Sequence, residues 1–137
     1  MFHPWRALRS NPHIDVHWTD QPPGLIASTD GRSRIFMDTR LLQVQRRCAA
    51  THELIHIERG HTRECSPGEE LSVRVETAHR LIGTFRLMDV MAWTESWEEA
   101  AEELWVTVEV FMDRLASLTK AERTAIQTMY EQTEGGA

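Results

Sequence analysis

The stretch THELIHIERG, residues 51–60, decides the fold of this chain because it sets two histidines four residues apart with a glutamate between them. From residue 41 into this stretch, mostly apolar side chains recur at three- and four-residue spacing, which predicts a helix with one buried face. That stripe consists of Leu41, Val44, Cys48, His52 and Ile55. Gly60 is well placed to end the helix as a left-handed cap.

The histidine pair predicts a metal site. His52 and His56 lie on one face of the predicted helix, since residues four apart sit one above the other. Their imidazole nitrogens are typical zinc ligands, and zinc lowers the pKa of a bound water toward ~7. Glu53 flanks the same site and is therefore predicted to act as the general base. The alternative is a surface helix with two solvated histidines, but His52 falls on the apolar stripe.

A catalytic zinc site usually has a third protein ligand and leaves one position open for water. We expect that ligand on the next helix, where Glu76 is the preferred candidate and Glu70 the alternative. Glu69 has an explanation as a capping residue, and acids in the first helical turn, such as Glu70, are favoured by the helix dipole. Glu76 has no comparable structural explanation, so the sequence favours it as the ligand.

Several other residues could belong to the same site. His79 is a candidate catalytic residue, stabilising an oxyanion or donating a hydrogen bond to a ligand, although a plain surface histidine is the alternative. His61 does not fit the spacing of a three-histidine site and is predicted to be a loop residue. Cys48 is expected to be a small buried side chain. His13 and His17 alternate on a predicted strand, and a second metal site there is not expected.

The remaining pattern places this helix in an α+β domain. Residues 13–18, HIDVHW, alternate as in a strand, and residues 25–37 predict a hairpin with a two-residue turn at Asp30–Gly31. Beyond Gly60, the segment SPGEE predicts a helix capped by Ser66. The apolar face of that helix is predicted to be Leu71, Val75, Ala78 and Ile82.

The last third of the chain is predicted to be helical. Ser96 with Glu99, and Thr119 with Glu122, form capping-box patterns, and the residues between them suggest a helix, a tight turn and a helix. We therefore expect a single domain over 1–137 that is strand-rich over 1–39. The zinc-site helices are expected over 40–92, and a helical tail with a helix-turn-helix-like unit over 93–132.

Composition restricts the function further. The chain has 137 residues and a formal net charge of -6, which argues against general nucleic-acid binding. No apolar run reaches the ~20 residues needed to cross a bilayer, and the N-terminus lacks the apolar core of a signal peptide. We expect a cytoplasmic protein whose two cysteines, Cys48 and Cys65, are free thiols.

Three segments together resemble the ImmA/IrrE family of metallopeptidase-like proteins, most closely the short forms of actinobacteria and their phages. They are RRCAATHELIHIERGH (46–61), VETAHRLI (75–82) and WEEAAEELWVTVEVFMDRLASLTKAER (97–123). The N-terminal segments 3–20 and 22–38 fit the same pattern. By position, His52 and His56 match the family's histidine ligands and Glu53 its general base. Glu76 falls where the family supplies an acidic ligand, and the absence of the family's EAN pattern keeps Glu70 open.

The resemblance implies a zinc-dependent endopeptidase that cleaves a DNA-binding repressor, as in phage induction or a stress response. An extended substrate is expected to add to the outer strand of the hairpin, for which Ser33–Asp38 is preferred. The alternative is a non-catalytic zinc-containing module that regulates a protein partner through its helical tail. That tail is rich in acidic residues and would repel phosphates, so we expect no direct binding to nucleic acid.

Overall fold

A computed structural model of the protein describes residues 1–135 and shows an α+β fold, as expected. Within this range there are seven helices and one three-stranded sheet. The helices are α1 (Pro4–Arg9), α2 (Gln43–Glu58), α3 (Pro67–Leu81), α4 (Thr84–Trp93), α5 (Trp97–Leu104), α6 (Val108–Ala116) and α7 (Lys120–Gly135). The strands are β1 (Asp15–Thr19), β2 (Ala27–Thr29) and β3 (Arg34–Asp38).

The sheet has the strand order β1-β3-β2, so that β3 lies in the centre. The β2–β3 hairpin is confirmed as an antiparallel pair, whereas β1 pairs with β3 in parallel. The prediction of a two-residue turn was wrong. Asp30 lengthens the turn, because its Oδ1 accepts hydrogen bonds from the backbone N–H groups of Arg32, Ser33 and Arg34 at 2.9–3.0 Å.

Helix α1 was not predicted. It has only six residues, which is too short for an apolar period to be visible in the sequence. Pro4 at its start is preorganised for the first turn of a helix. Leu8 is buried in the same cluster as Ile35 and Met37 of the central strand, and α1 packs against α2.

Helix α2 lies in the middle of the fold and confirms the helix predicted from the histidine stretch. Gly60 has φ +67° and forms the expected left-handed cap. The cap is a Schellman motif, in which the Gly60 N–H donates to the Ile57 carbonyl and the His61 N–H to the His56 carbonyl, both at 3.0 Å. The chain therefore reverses direction directly after the second histidine.

Helix α3 begins at the predicted capping box, with Ser66 Oγ accepting from the Glu69 N–H at 3.1 Å. Its predicted apolar face was partly wrong, because Leu71 is exposed and Val75 only partly buried. The buried face turns toward α2 and consists of Val73, Thr77, Ala78 and Leu81. This rotation decides which acidic residue of α3 faces the histidines.

Two clusters of buried apolar residues lie on opposite sides of α2. Ala49, Ala50 and Leu54 pack against the sheet and α1. Cys48 packs against the helical part of the molecule, in a cluster with Leu81, Ile82, Leu87, Val90, Ala100, Ala101, Leu104, Val106 and Phe111. Because side chains of α2 belong to both clusters, the orientation of its histidine face is fixed from two sides.

The helical tail is held by a buried ion pair. Arg114 of α6 donates to Glu122 of α7 and also to the Ile82 carbonyl at 2.8 Å, and both charged side chains are only 2% exposed. The predicted capping box Thr119–Glu122 is confirmed, with the Glu122 N–H donating to Thr119 Oγ1 at 3.1 Å. Among residues 1–135, none of the helices is both long and apolar enough to cross a bilayer.

Candidate metal centre

Three side chains converge at the C-terminal half of α2. The Nε2 atoms of His52 and His56 are 3.2 Å apart, and Glu70 lies between them with Oε1 2.7 Å from His52 Nε2 and Oε2 3.0 Å from His56 Nε2. Ligands bound tetrahedrally to zinc at about 2.0–2.1 Å are separated by about 3.3 Å. The two imidazoles and the carboxylate therefore match zinc in both chemistry and spacing.

Glu70, and not Glu76, lies beside the two histidines. Six residues on a helix correspond to a rotation of about 120° from one side to another. Glu70 lies on the same face as Val73 and Thr77, which pack toward α2. Glu76 points away and is bound by two guanidinium groups, Arg59 at 2.8 Å and Arg80 at 2.6 Å. The structure thus places Glu76, the preferred candidate ligand, away from the histidines and places Glu70, the alternative, beside them.

Glu53 lies beside this group and is 8% exposed. Burial and, to a smaller extent, the negative charge of Glu70 together raise the pKa of its carboxyl group to about 8. A carboxyl with such a pKa exchanges protons near neutral pH, as a general base must. The position of Glu53 next to the histidines is the one that the sequence predicted.

The histidines are held in their neutral form. Burial lowers the pKa of His52 and of His56, although the negative charge of Glu70 acts in the opposite direction. A neutral imidazole offers a lone pair to a metal ion, whereas a protonated one does not. Burial therefore favours the protonation state in which each ring can bind a metal ion.

An open cleft of about 440 Å³ leads to the group, and His52, Glu53 and Glu70 all line it. One wall is formed by Gly24–Ala27, which includes the start of β2, and the other by residues of α3 and α6. Leu25 and Ile26 expose 43% and 50% of their surface, so the wall next to the histidines is apolar and accessible. The cleft therefore has room for an extended chain beside the donors.

His61 and Cys65 lie next to His56, although the sequence predicted His61 only as a loop residue and did not point to Cys65. His61 Nδ1 lies 2.9 Å from His56 Nδ1, and Cys65 Sγ lies 3.5 Å from the same nitrogen. Both residues follow the Gly60 cap, and the reversal of the chain at that cap brings them back to His56. His61 is a loop residue, as predicted, and the Gly60 cap that was visible in the sequence is the signal that places it against His56.

The other candidates lie elsewhere. His79 was expected at the site, but its Nε2 lies 2.9 Å from the Ser117 carbonyl oxygen, which joins α3 to the end of α6. Cys48 is buried in the apolar cluster, as expected, and both cysteines are free thiols. His13 and His17 are exposed, and the His17 ring stacks on Phe36 with the ring centroids 5.4 Å apart.

The arrangement combines three donor side chains that could hold a metal ion, an adjacent carboxyl group with a raised pKa and an open apolar cleft. In chemical terms it is suited to adding water to a polarised carbonyl group. No protein-family model, curated protein or solved structure matches this chain.

Proposed function

We propose that this protein is a zinc-dependent endopeptidase of narrow specificity whose substrate is a DNA-binding repressor. The observation that carries the proposal is the convergence of His52, His56 and Glu70 within 3.2 Å of one another, with Glu53 beside them. The repressor as substrate is supported by the resemblance of segments 46–61, 75–82 and 97–123 to the ImmA/IrrE family.

His52, His56 and Glu70 would hold the metal ion. Two neutral imidazoles and one carboxylate form a donor set typical of catalytic zinc, which keeps a further position for water or substrate. A zinc ion in this place supplies Lewis acidity, since it polarises a carbonyl and lowers the pKa of water. The protein contributes the fixed positions of the donors, which are set by the packing of α2 against α3.

Glu53 acts as the general base and acid. It takes a proton from the attacking water and returns it to the nitrogen of the leaving amine, so the carboxylate ends the reaction as it began. Burial raises the pKa of its carboxyl group toward the neutral range, where one group can both accept and return a proton. Because the residue is buried at the edge of the cleft, its proton is protected from bulk solvent.

The substrate binds in an extended form along β2. The sequence pointed to Ser33–Asp38 as the outer strand, but β3 is central and both its edges are paired. Within residues 1–135, β2 has a strand neighbour on one side only, and Ala27 at its start lines the cleft. Main-chain hydrogen bonds from a substrate strand to the other edge of β2 would align a peptide bond with the histidine group.

The experiment is cleavage of a repressor encoded beside the gene, with added zinc and with a chelator. We expect Glu53→Gln to bind zinc as the native chain does and to cleave at least ~100-fold more slowly. Glu58→Gln, one helical turn or so further along α2 and exposed, is the matched control and should cleave normally. Undiminished cleavage by Glu53→Gln would exclude this role for the residue.

The alternative function, a zinc-containing interaction module, is favoured by one observation. Phe85, Trp93 and Trp97 expose 81%, 53% and 49% of their surface, and together they present large apolar side chains on α4 and α5. Such side chains are common anchors of protein interfaces. If a repressor binds but is not cleaved, and Phe85→Ser and Trp97→Ser abolish the binding while Glu53→Gln does not, the module is the correct function.

A further inference from the structure

We infer that His61 is a positioning residue, which accepts a hydrogen bond from the His56 ring and thereby presents His56 Nε2 to the metal ion. The inference rests on the proposed metal centre and adds to it a residue outside the set of three ligands. It is carried by the distance of 2.9 Å between the Nδ1 atoms of the two rings.

The backbone fixes this contact. The Schellman cap joins the His61 N–H to the His56 carbonyl, so the two residues are held together in the main chain as well as through their rings. The turn of the β2–β3 hairpin packs closely against the loop that contains His61 and Thr62. Gly31 lies so close to His61 and Thr62 that a Cβ atom there would overlap their backbone atoms. His61 is thus part of a rigid turn, although it lies outside the helices.

The protonation states follow from the contacts. When His56 Nε2 binds a metal ion, the ring must carry its proton on Nδ1, and that N–H points at His61 Nδ1. His61 then accepts with Nδ1 and carries its own proton on Nε2. Glu69 Oε2 lies 3.5 Å from that nitrogen, and its negative charge favours this tautomer. A hydrogen bond of this kind orients a ligating histidine and raises its basicity.

Cys65 offers a different explanation of the same cluster. Its sulfur is 3.5 Å from His56 Nδ1, and with His61 the three atoms are close enough to hold a cation of their own. With an ion also held by His52 and Glu70, that would require His56 to lose both ring protons and to bridge two ions. The hydrogen bond requires only one ion and leaves the cysteine as a neighbour, so the two explanations predict different metal stoichiometries.

The first measurement is zinc affinity, by competition with a chromophoric chelator. We expect His61→Ala to weaken zinc binding by roughly 10–100-fold, the usual effect of losing such a partner. His61→Asn should restore most of the affinity, because its amide oxygen takes the place of Nδ1 as acceptor. Cys65→Ala is the matched control, and it should bind zinc within about threefold of the native chain, with one equivalent per chain in every variant.

The second measurement is the tautomer of His56 from nitrogen-15 NMR of the histidine rings. In the zinc-loaded native chain we expect a slowly exchanging proton on His56 Nδ1, which is lost or exchanges rapidly in His61→Ala. A merely structural role of His61 would not change this signal in a variant that still folds.

Three outcomes would overturn the inference: unchanged affinity in His61→Ala, no restoration in His61→Asn, or two equivalents of zinc bound with Cys65 required for the second. None of these readouts uses cleavage. A chain that binds zinc in this way but cleaves no repressor would contradict the proposed endopeptidase and leave the role of His61 supported.

Discussion

Glu70 Oε1 lies 2.7 Å from His52 Nε2, so the first turn of α3 meets the middle of α2 at the two-histidine face. The contact depends on the rotation of α3, which buries Val73 and Thr77 and places Glu70 on the same face. It brings Glu70 and not Glu76 to the histidines, and it makes these two acidic residues of α3 a matched pair for testing.

The first prediction concerns that pair. Glu70→Gln should reduce zinc affinity by at least roughly 100-fold, since a ligand contributes more than the outer partners whose loss costs 10–100-fold. Glu76→Gln should leave the affinity unchanged, because Glu76 is bound to Arg59 and Arg80. Zinc titration of both variants checks this. The reverse result, with affinity lost in Glu76→Gln alone, would restore the ligand that the sequence favoured.

The second prediction concerns Gly31. Gly31 has φ +75°, and an added Cβ would overlap the His61 carbonyl, so Gly31→Ala has to distort both the turn and the loop. We expect a loss of about 1–3 kcal/mol in the free energy of unfolding and weaker zinc binding. Denaturant unfolding and zinc titration measure the two effects.

Gly24→Ala is the control for that variant. Gly24 has a similar φ of +84°, but an added Cβ would contact nothing within 4 Å. Gly24→Ala should therefore lower the free energy of unfolding only by the strain of the left-handed backbone, about 1 kcal/mol, and leave zinc affinity unchanged. Equal effects of the two substitutions would show that the hairpin does not brace the His61 loop.

The third prediction concerns the pH dependence of stability. The Arg114 guanidinium holds the pKa of Glu122 at about 2, below its ordinary value of 4.5, and hydrogen bonds from Thr84 and Thr119 act in the same direction. Since the pKa is depressed in the folded state, the stabilisation is complete above about pH 4.5 and is lost as the pH falls toward 2. The linked free energy is about 3 kcal/mol.

Glu122→Gln should therefore lower the free energy of unfolding at pH 7 by about 3–5 kcal/mol, because it leaves the buried Arg114 without its partner. The variant should also lose less stability between pH 4.5 and 2 than the native chain does. Glu131→Gln, exposed on the same helix, should change the free energy by no more than about 0.5 kcal/mol. Denaturant titrations across this pH range test both statements, and parallel pH curves for Glu122→Gln and the native chain would contradict them.

Much of the fold was predictable because its signals are local. The apolar period around THELIHIERG predicted α2, Ser66 with Glu69 predicted the start of α3, and Gly60 predicted the cap. The pattern around Asp30 predicted the hairpin, although not the length of its turn. Helix α1 and the parallel pairing of β1 with β3 were not predicted, since a six-residue helix has no visible period and strand pairing joins distant segments.

In the site, too, the positions of some residues were predictable from local sequence and those of others were not. His52, Glu53 and His56 share one helix, so their mutual positions follow from helical geometry, and the sequence by itself placed them together. The choice of Glu70 over Glu76 depended on how α3 rotates against α2. That rotation is set by the burial of Val73 and Thr77, which the apolar pattern did not predict correctly.

The sequence thus determined the helix with its histidine pair and glutamate, the caps and the α+β composition, because these depend on neighbours within a few residues. Only the tertiary structure decided that Glu70 lies beside the histidines, that β2 is an edge strand and β3 the central one, and that His61 turns back onto His56. Each of these is a contact between segments whose packing depends on the burial of side chains throughout the molecule, and no local pattern specifies it.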